Sequence, residues 1–320
     1  MDMSEWYAFD ALDDAINRTK ALLWPIKLGV WLRIAIIAFF VGGYGGVNVP
    51  VQYTTGELPP EVGSVMVQHL PLIFGVIALI AAVAIILGVV GSVIQFVFVD
   101  CLSQAEISLT KHIRPRLGKG LRLFGFMVGV TLLFITLLLI PVILFLIPAL
   151  SAGGDIGPQI VLPFVLLYLF YLILIAIPFG LLIMFTVDFV VPIMIRDDCG
   201  VIEGWKRCFA MLKKGWKQAA IYALVKIVLG IATAIIIFII AFIVLLVVAV
   251  PFILLGIALV SIYSFWVGLF IVGIPFVIIM ILIMLFIQVP FVTFFRYYSL
   301  RVLGDFSPEY ALLPEIGQSP

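Results

Sequence analysis

Between Ile227 and Phe295 the chain contains no aspartate, glutamate, lysine or arginine, an uncharged run of 69 residues. Charge is scarce throughout: 11% of the 320 residues are Asp, Glu, Lys or Arg, and 65% are hydrophobic. Soluble globular chains carry about a quarter charged residues, so a water-soluble domain is excluded. Histidine is nearly absent, with only His69 and His112, and there are three cysteines, Cys101, Cys199 and Cys208, with no C-x-x-C pair. Neither set has the spacing of a zinc site or a disulfide framework. The motifs H-E-x-x-H, G-x-x-x-x-G-K-[ST] and G-x-S-x-G are all missing, which removes the zinc peptidase, P-loop and serine-hydrolase readings. A formal net charge of +1 gives no general basic surface for nucleic acid. No catalytic residue, metal ligand or cofactor is therefore assigned, and the chain is expected not to be an enzyme.

What is present is apolar sequence in runs longer than the roughly 20 residues needed to cross a bilayer. The runs are continuous rather than alternating, so helices are expected and a β-barrel is not. The 18 Lys and Arg residues fall into four blocks: Arg18–Arg33, Lys111–Arg122, Arg196–Lys226, and Arg296 with Arg301. Basic residues near span ends stay cytoplasmic, which puts all four blocks and both termini on that side. The fold expected is all-α and polytopic, with six transmembrane helices arranged as three hairpins. The spans are near 21–41, 71–99, 121–150, 160–195, 217–250 and 274–296. Residues 251–275 are read as a helical extension, an interfacial turn or a re-entrant piece. In domain terms, residues 1–20 form a cytoplasmic interfacial helix and 21–300 a single six-helix domain. That domain has cytoplasmic loops at 100–120 and 196–217 and an outer loop at 42–70. Residues 301–320 are read as a short disordered cytoplasmic tail. Insertion in the plasma membrane of a prokaryote is expected.

Two segments share a design. Phe9–Arg18 leads through Lys20 and Trp24 into span one, and Asp197–Arg207 leads through Lys213, Lys214 and Trp216 into span five. In each, acidic residues open a short helix and basic residues close it, complementing the helix dipole. Apolar residues recur at helical spacing: Phe9, Leu12, Ile16 and Leu22/Leu23 in the first, Val201/Ile202, Trp205, Phe209 and Leu212 in the second. Both are expected to lie in the membrane interface, apolar face towards the acyl chains. A third copy over Cys101–Lys119 is weaker because Pro115 should interrupt a helix there.

Residues Val191–Arg196, followed by Gly204–Lys217, carry a resemblance. They combine a Pro-containing span end, the basic pair Lys206-Arg207 before Cys208 and Phe209, then Leu212, Lys213 and Trp216. This pattern resembles a motif of the glycerophosphoryl diester phosphodiesterase membrane-domain group and related prokaryotic six-span proteins of unknown function. The resemblance implies a six-helix fold with a cytoplasmic-facing repeat. It implies no catalytic residues, since activity in that family belongs to a separate soluble barrel.

Asp188 is the foremost candidate site residue. It lies about 12 Å by helical rise before Arg196, and an ionisable group within a span is a functional candidate because its burial is costly. Asp100 follows a similar aromatic-rich run, and Gln288 is polar within span six. These three are the candidate intramembrane polar site, read either as structural partners or as the lining of a transport cavity. Arg33 and Lys226 are cations that Asp188 could pair with. Lys27, Arg33, Arg207, Lys213, Lys214 and Lys226 are expected to snorkel to anionic lipid headgroups. Gly125 and Gly129 form a G-x-x-x-G that permits close helix packing. The functional expectation is a non-enzymatic integral membrane protein that organises the bilayer or an unidentified protein partner through its cytoplasmic face. The alternative is a small-solute or lipid transporter.

Overall fold

The computed structural model describes residues 7–42, 69–104, 109–151, 157–262 and 265–314. Among these there is no strand. The helices are α1 (Tyr7–Leu23), α2 (Leu28–Gly42), α3 (Leu70–Ser103), α4 (Leu109–Ser151), α5 (Pro158–Phe185), α6 (Val191–Arg196), α7 (Val201–Lys214), α8 (Trp216–Ile262) and α9 (Phe265–Phe306). A π-helical segment, Thr186–Val190, joins α5 to α6, and a single 3₁₀ turn, Pro308–Tyr310, follows α9. Five helical stretches are long and apolar enough to cross a membrane, and Leu28–Val41 is apolar but shorter.

Each long helix carries one extended uncharged stretch: 70–99, 123–151, 158–187, 227–262 and 265–295. At 1.5 Å per residue each exceeds about 40 Å, the full thickness of a bilayer with its headgroups. The first charges met beyond them are Asp100, Arg122, Asp188, Lys226 and Arg296. The chain runs back and forth, so these charges gather at one end of the bundle, here the charged end. The residues buried within the protein gather there too. Every residue of α3 from Gly91 to Leu102 is buried, whereas every residue from Phe74 to Leu87 is exposed. The main core joins Phe96, Phe98, Phe189, Ile193, Met194, Tyr222, Tyr298 and Leu303, from α3, the π segment, α6, α8 and α9.

Close contact between α3 and α4 depends on two glycines. A Cβ on Gly120 would lie 2.8 Å from Val93 Cα, and one on Gly88 would lie 2.6 Å from the Phe124 ring. The expected pair, Gly125 and Gly129, instead faces open space. Of these four glycines, only Gly88 and Gly120 face the neighbouring helix.

Three other expectations are corrected, and one reading left open is decided. Span one is not one helix: α1 stops at Leu23, Trp24-Pro25 intervenes, and α2 restarts at Leu28. With 15 residues, α2 is about 22 Å long, short of the roughly 30 Å hydrocarbon core. Pro115 does not break the chain's helix but lies near the start of α4. Its lost hydrogen bond is offset by tertiary contacts that hold this turn: Arg116 on Asp100 and His112 on Gln104. Residues 251–262 and 265–275 are helical extensions of α8 and α9, so no re-entrant piece forms in the described part. The tail is folded as far as it is described. Tyr310 is buried, its hydroxyl donates to Asp197 Oδ2 at 3.0 Å, and Arg18 donates to the Pro314 carbonyl at 2.8 Å. Residues 43–68, with Glu57 and Glu61, and residues 152–156, with Asp155, lie outside the described residues, as do 1–6 and 315–320.

α1 stands along α9 rather than apart from the bundle. Tyr7 meets Phe306 edge-on at 5.7 Å, Asp14 lies 4.0 Å from Arg301, and Leu23 clusters with Val289. Its buried face is Ala8, Ala11, Ala15, Thr19 and Leu23, mostly small side chains that let two helix backbones approach. Phe9 and Ile16 are exposed.

Candidate polar site at the charged end

The site is built around the π segment. One extra residue in a helical turn leaves carbonyl groups out of the regular ladder, a feature frequent at functional sites. Here side chains take them up. Arg296 donates to the Val187 carbonyl at 2.9 Å. Thr186 Oγ1 donates to the Leu182 carbonyl at 2.6 Å and accepts from Trp205 Nε1 at 3.1 Å. Helix α7 is thereby tied to the bulge, with Gly204 packed against Val190 and Met194.

The bulge turns Asp188 towards α8. Tyr222 donates to Asp188 Oδ2 at 2.9 Å, and Lys226 forms an ion pair with the same oxygen. Asp188 is 4% exposed and Tyr222 fully buried, so this is a closed contact. The Tyr222 ring stacks between Phe189, at 5.0 Å, and Tyr298, at 5.6 Å. The buried Tyr298 hydroxyl has no hydrogen-bond partner among the described residues. On the other side of α9, Arg296 donates to Gln95 Oε1 and lies 5.6 Å from the Phe98 ring centroid.

Asp100 makes a separate pairing. Arg116 binds it in a two-pronged contact, Nε to Oδ2 at 2.7 Å and Nη2 to Oδ1 at 3.0 Å. Gln288 is half-buried on α9, two turns before Arg296, and makes no hydrogen bond among the described residues. The three candidates therefore do not meet in one place. Nor do they line the large grooves between helices, which are apolar: one of about 670 Å³ runs between Trp31, Ile240 and Phe286, and one of about 430 Å³ between Leu172, Gly180 and Ile227.

The six basic candidates divide. Lys27, Arg33, Lys213 and Lys214 are exposed. Arg207 is exposed but paired with Asp197. Lys226 departs from the headgroup expectation: it turns inward to Asp188, with 18% of its side chain exposed. Residues that pattern reading left aside are Tyr222, Arg116 and the pairing role of Arg296. Arg296 did carry a signal, as the first charge after a long uncharged run. Tyr222 carried none.

Beyond the spans, α6 and α7 are joined by a charged turn. Asp198 adopts a left-handed backbone, φ 50°, which Asp tolerates better than most residues. The hydrogen bond and charge of Lys119 hold its carboxyl below the usual range, and Lys119 also donates to the Met194 carbonyl at 2.7 Å. The hydrogen bond to Asp197 raises Arg207 further above its ordinary value. Burial pushes the Cys208 thiol up to about 12, so it is a packed, unreactive side chain. No group of three or more His, Cys, Asp or Glu residues among those described is arranged to hold a metal.

Residues 6–313 match the model of a family of unknown function, DUF7544. The chain belongs to that family. The match carries no link to the glycerophosphoryl diester phosphodiesterase membrane domain, so only the unknown-function part of that resemblance stands. No curated protein and no solved structure matches the chain.

Proposed function

We propose that this DUF7544 member is a non-enzymatic integral membrane protein whose charged end lies in the cytoplasm and organises lipids or partner proteins there. The observation that carries the reading is the closure of Asp188. A transport residue should face water reaching mid-membrane, whereas Asp188 is 4% exposed and engaged by Tyr222 and Lys226. The orientation follows from the one-ended distribution of Lys and Arg. Along α7 and the start of α8, Ile202, Phe209 and Trp216 recur every seven residues and are 72%, 64% and 65% exposed. Lys206, Lys213 and Lys217 run beside them. An apolar stripe flanked by lysines suits the surface of an anionic membrane.

The test is flux. Reconstituted in vesicles, the protein should move neither labelled lipid nor small solutes faster than protein-free vesicles do. A flux that disappears in Asp188→Asn would defeat the organising role and establish transport.

A further inference from the structure

Lys27 stands at the elbow between α1 and α2 and is exposed. Among the described residues no carboxylate pairs with it. The helices beside it supply none: α2 has no acid, α8 is uncharged from Ile227 to Ile262, and α9 from Phe265 to Phe295. Trp24, Ile26 and Leu28 flank it in sequence and are all strongly exposed. A tryptophan and a lysine exposed among aliphatic side chains mark the level where acyl chains give way to headgroups.

One helical turn from Lys27 lies the largest of the apolar grooves described above. The Lys27 carbonyl accepts from the Trp31 backbone N–H at 3.0 Å, and Trp31 forms the groove's α2 wall. That wall is fixed. Trp31 Nε1 donates to the Leu23 carbonyl at 3.2 Å, and its ring stacks on Phe286 at 6.4 Å. Ile279, Ile283 and Pro290 of α9 face Ile240 of α8 across the groove. Its volume, about 670 Å³, is within the range of ligand sites. From Ile279 to Pro290 it follows α9 for about 16 Å, close to half of the roughly 30 Å hydrocarbon core, the share of one leaflet. Pro290 lies about 9 Å by helical rise from Arg296, so the groove descends from the charged end. Among the described lining residues the one polar side-chain atom, Trp31 Nε1, is already bonded, which leaves nothing to recognise a polar soluble ligand. We propose that the groove and Lys27 bind one anionic phospholipid, an acyl chain along Trp31, Phe286 and Ile283 and the phosphate on the Lys27 ammonium. A zwitterionic headgroup carries its own cation to the same place and gains less. The site does not rest on the organising role proposed above: it holds one lipid whatever the charged end does.

The experiment is native mass spectrometry of the full-length protein released from bilayers of equal phosphatidylglycerol and phosphatidylcholine with matched acyl chains. One lipid should stay bound, with phosphatidylglycerol preferred about fivefold, the discrimination that one lysine near a membrane surface supplies. Lys27→Gln should keep a bound lipid and lose the preference, with an unfolding midpoint in detergent equal to that of the wild type. Ile240→Trp, at an exposed position, should fill the groove and release lipid of both kinds. Lys213→Gln combined with Lys217→Gln, on the separate stripe of α7 and α8, should leave retention and preference unchanged. Bound lipid without headgroup preference, a preference that survives Lys27→Gln, or full retention in Ile240→Trp would each overturn the site. A preference lost in the Lys213 and Lys217 variant would do the same, by placing the selective contact on the stripe instead.

Discussion

The two halves of α3 differ in almost everything except hydrophobicity. From Phe74 to Leu87 every residue is exposed, and from Gly91 to Leu102 every residue is buried. The first half is a single apolar helix surrounded by whatever solvent accepts it. The second is enclosed by α2, α4, α6 and α9, and it carries Gln95 and Asp100. Hydrophobicity therefore says where the bilayer is, and the polar groups say where the protein packs against itself. In lipid, apolar side chains gain little by leaving the acyl chains for one another, so packing and interhelical polar contacts decide association. Here those contacts are concentrated at one end.

The largest effects are expected where the charges are. Arg116→Ala leaves Asp100 buried without its cation, and loss of one member of a buried pair costs about 3 kcal/mol or more. Thermal unfolding should show a loss of that size. Substitution of Lys111, on the same helix end, should cost a small fraction of it. A smaller effect is expected at the α3–α4 contact. Gly120→Val drives a side chain into Val93, an overpacking worth about 1–3 kcal/mol. Gly129→Val meets open space and should change stability by less than about 0.5 kcal/mol. Equal costs at the two glycines would mean that α4 is turned differently about its axis.

Tyr298→Phe removes a buried hydroxyl that has no partner. Most buried Tyr→Phe changes lose a hydrogen bond worth about 1 kcal/mol. This one should be neutral or slightly stabilising, as read from the unfolding midpoint. The subtlest effect is at Cys208, whose folded-state pKa is raised by burial to about 12 from 9.0. The folded protein holds this proton more tightly than the unfolded chain does. Its contribution is therefore complete below about pH 9 and is lost as pH rises towards about 12. Stability measured from pH 8 to 10.5 should fall less steeply in Cys208→Ala. At neutral pH a maleimide should label Cys208 only after denaturation.

Much of this arrangement was legible from charge alone. The long uncharged stretches marked the long helices, and the grouping of Lys and Arg marked one end of the bundle. Asp188 stood out because an acid so close to apolar sequence needs a partner. What pattern reading missed depended on the third dimension. Phe9, Leu12 and Ile16 read as a face towards the acyl chains, which leaves unread the opposite face, Ala8, Ala11, Ala15 and Thr19, that packs on α9. A hydropathy scale ranks Phe above Ala, but close approach to α9 favours the smaller side chain. Lys226 was readable both as a snorkelling residue and as a partner for Asp188, because snorkelling and buried pairing give the same sequence. Only the position of Asp188, 38 residues earlier, separates them. The division of Gly120 from Gly129 likewise rests on helix rotation, which composition does not encode.

Asp188 and Lys226 form a closed pair that fastens the charged end, rather than the floor of an open water-filled path. A double-mutant cycle tests it most directly: unfolding of the wild type, Asp188→Asn, Lys226→Met and the double variant in one lipid or detergent. Each single change should cost about 3 kcal/mol, the low end for buried pairs because part of Lys226 remains exposed. The double variant should cost clearly less than the sum of the two. Single changes that are each nearly neutral and strictly additive would show that the two residues are solvated independently, and would contradict it.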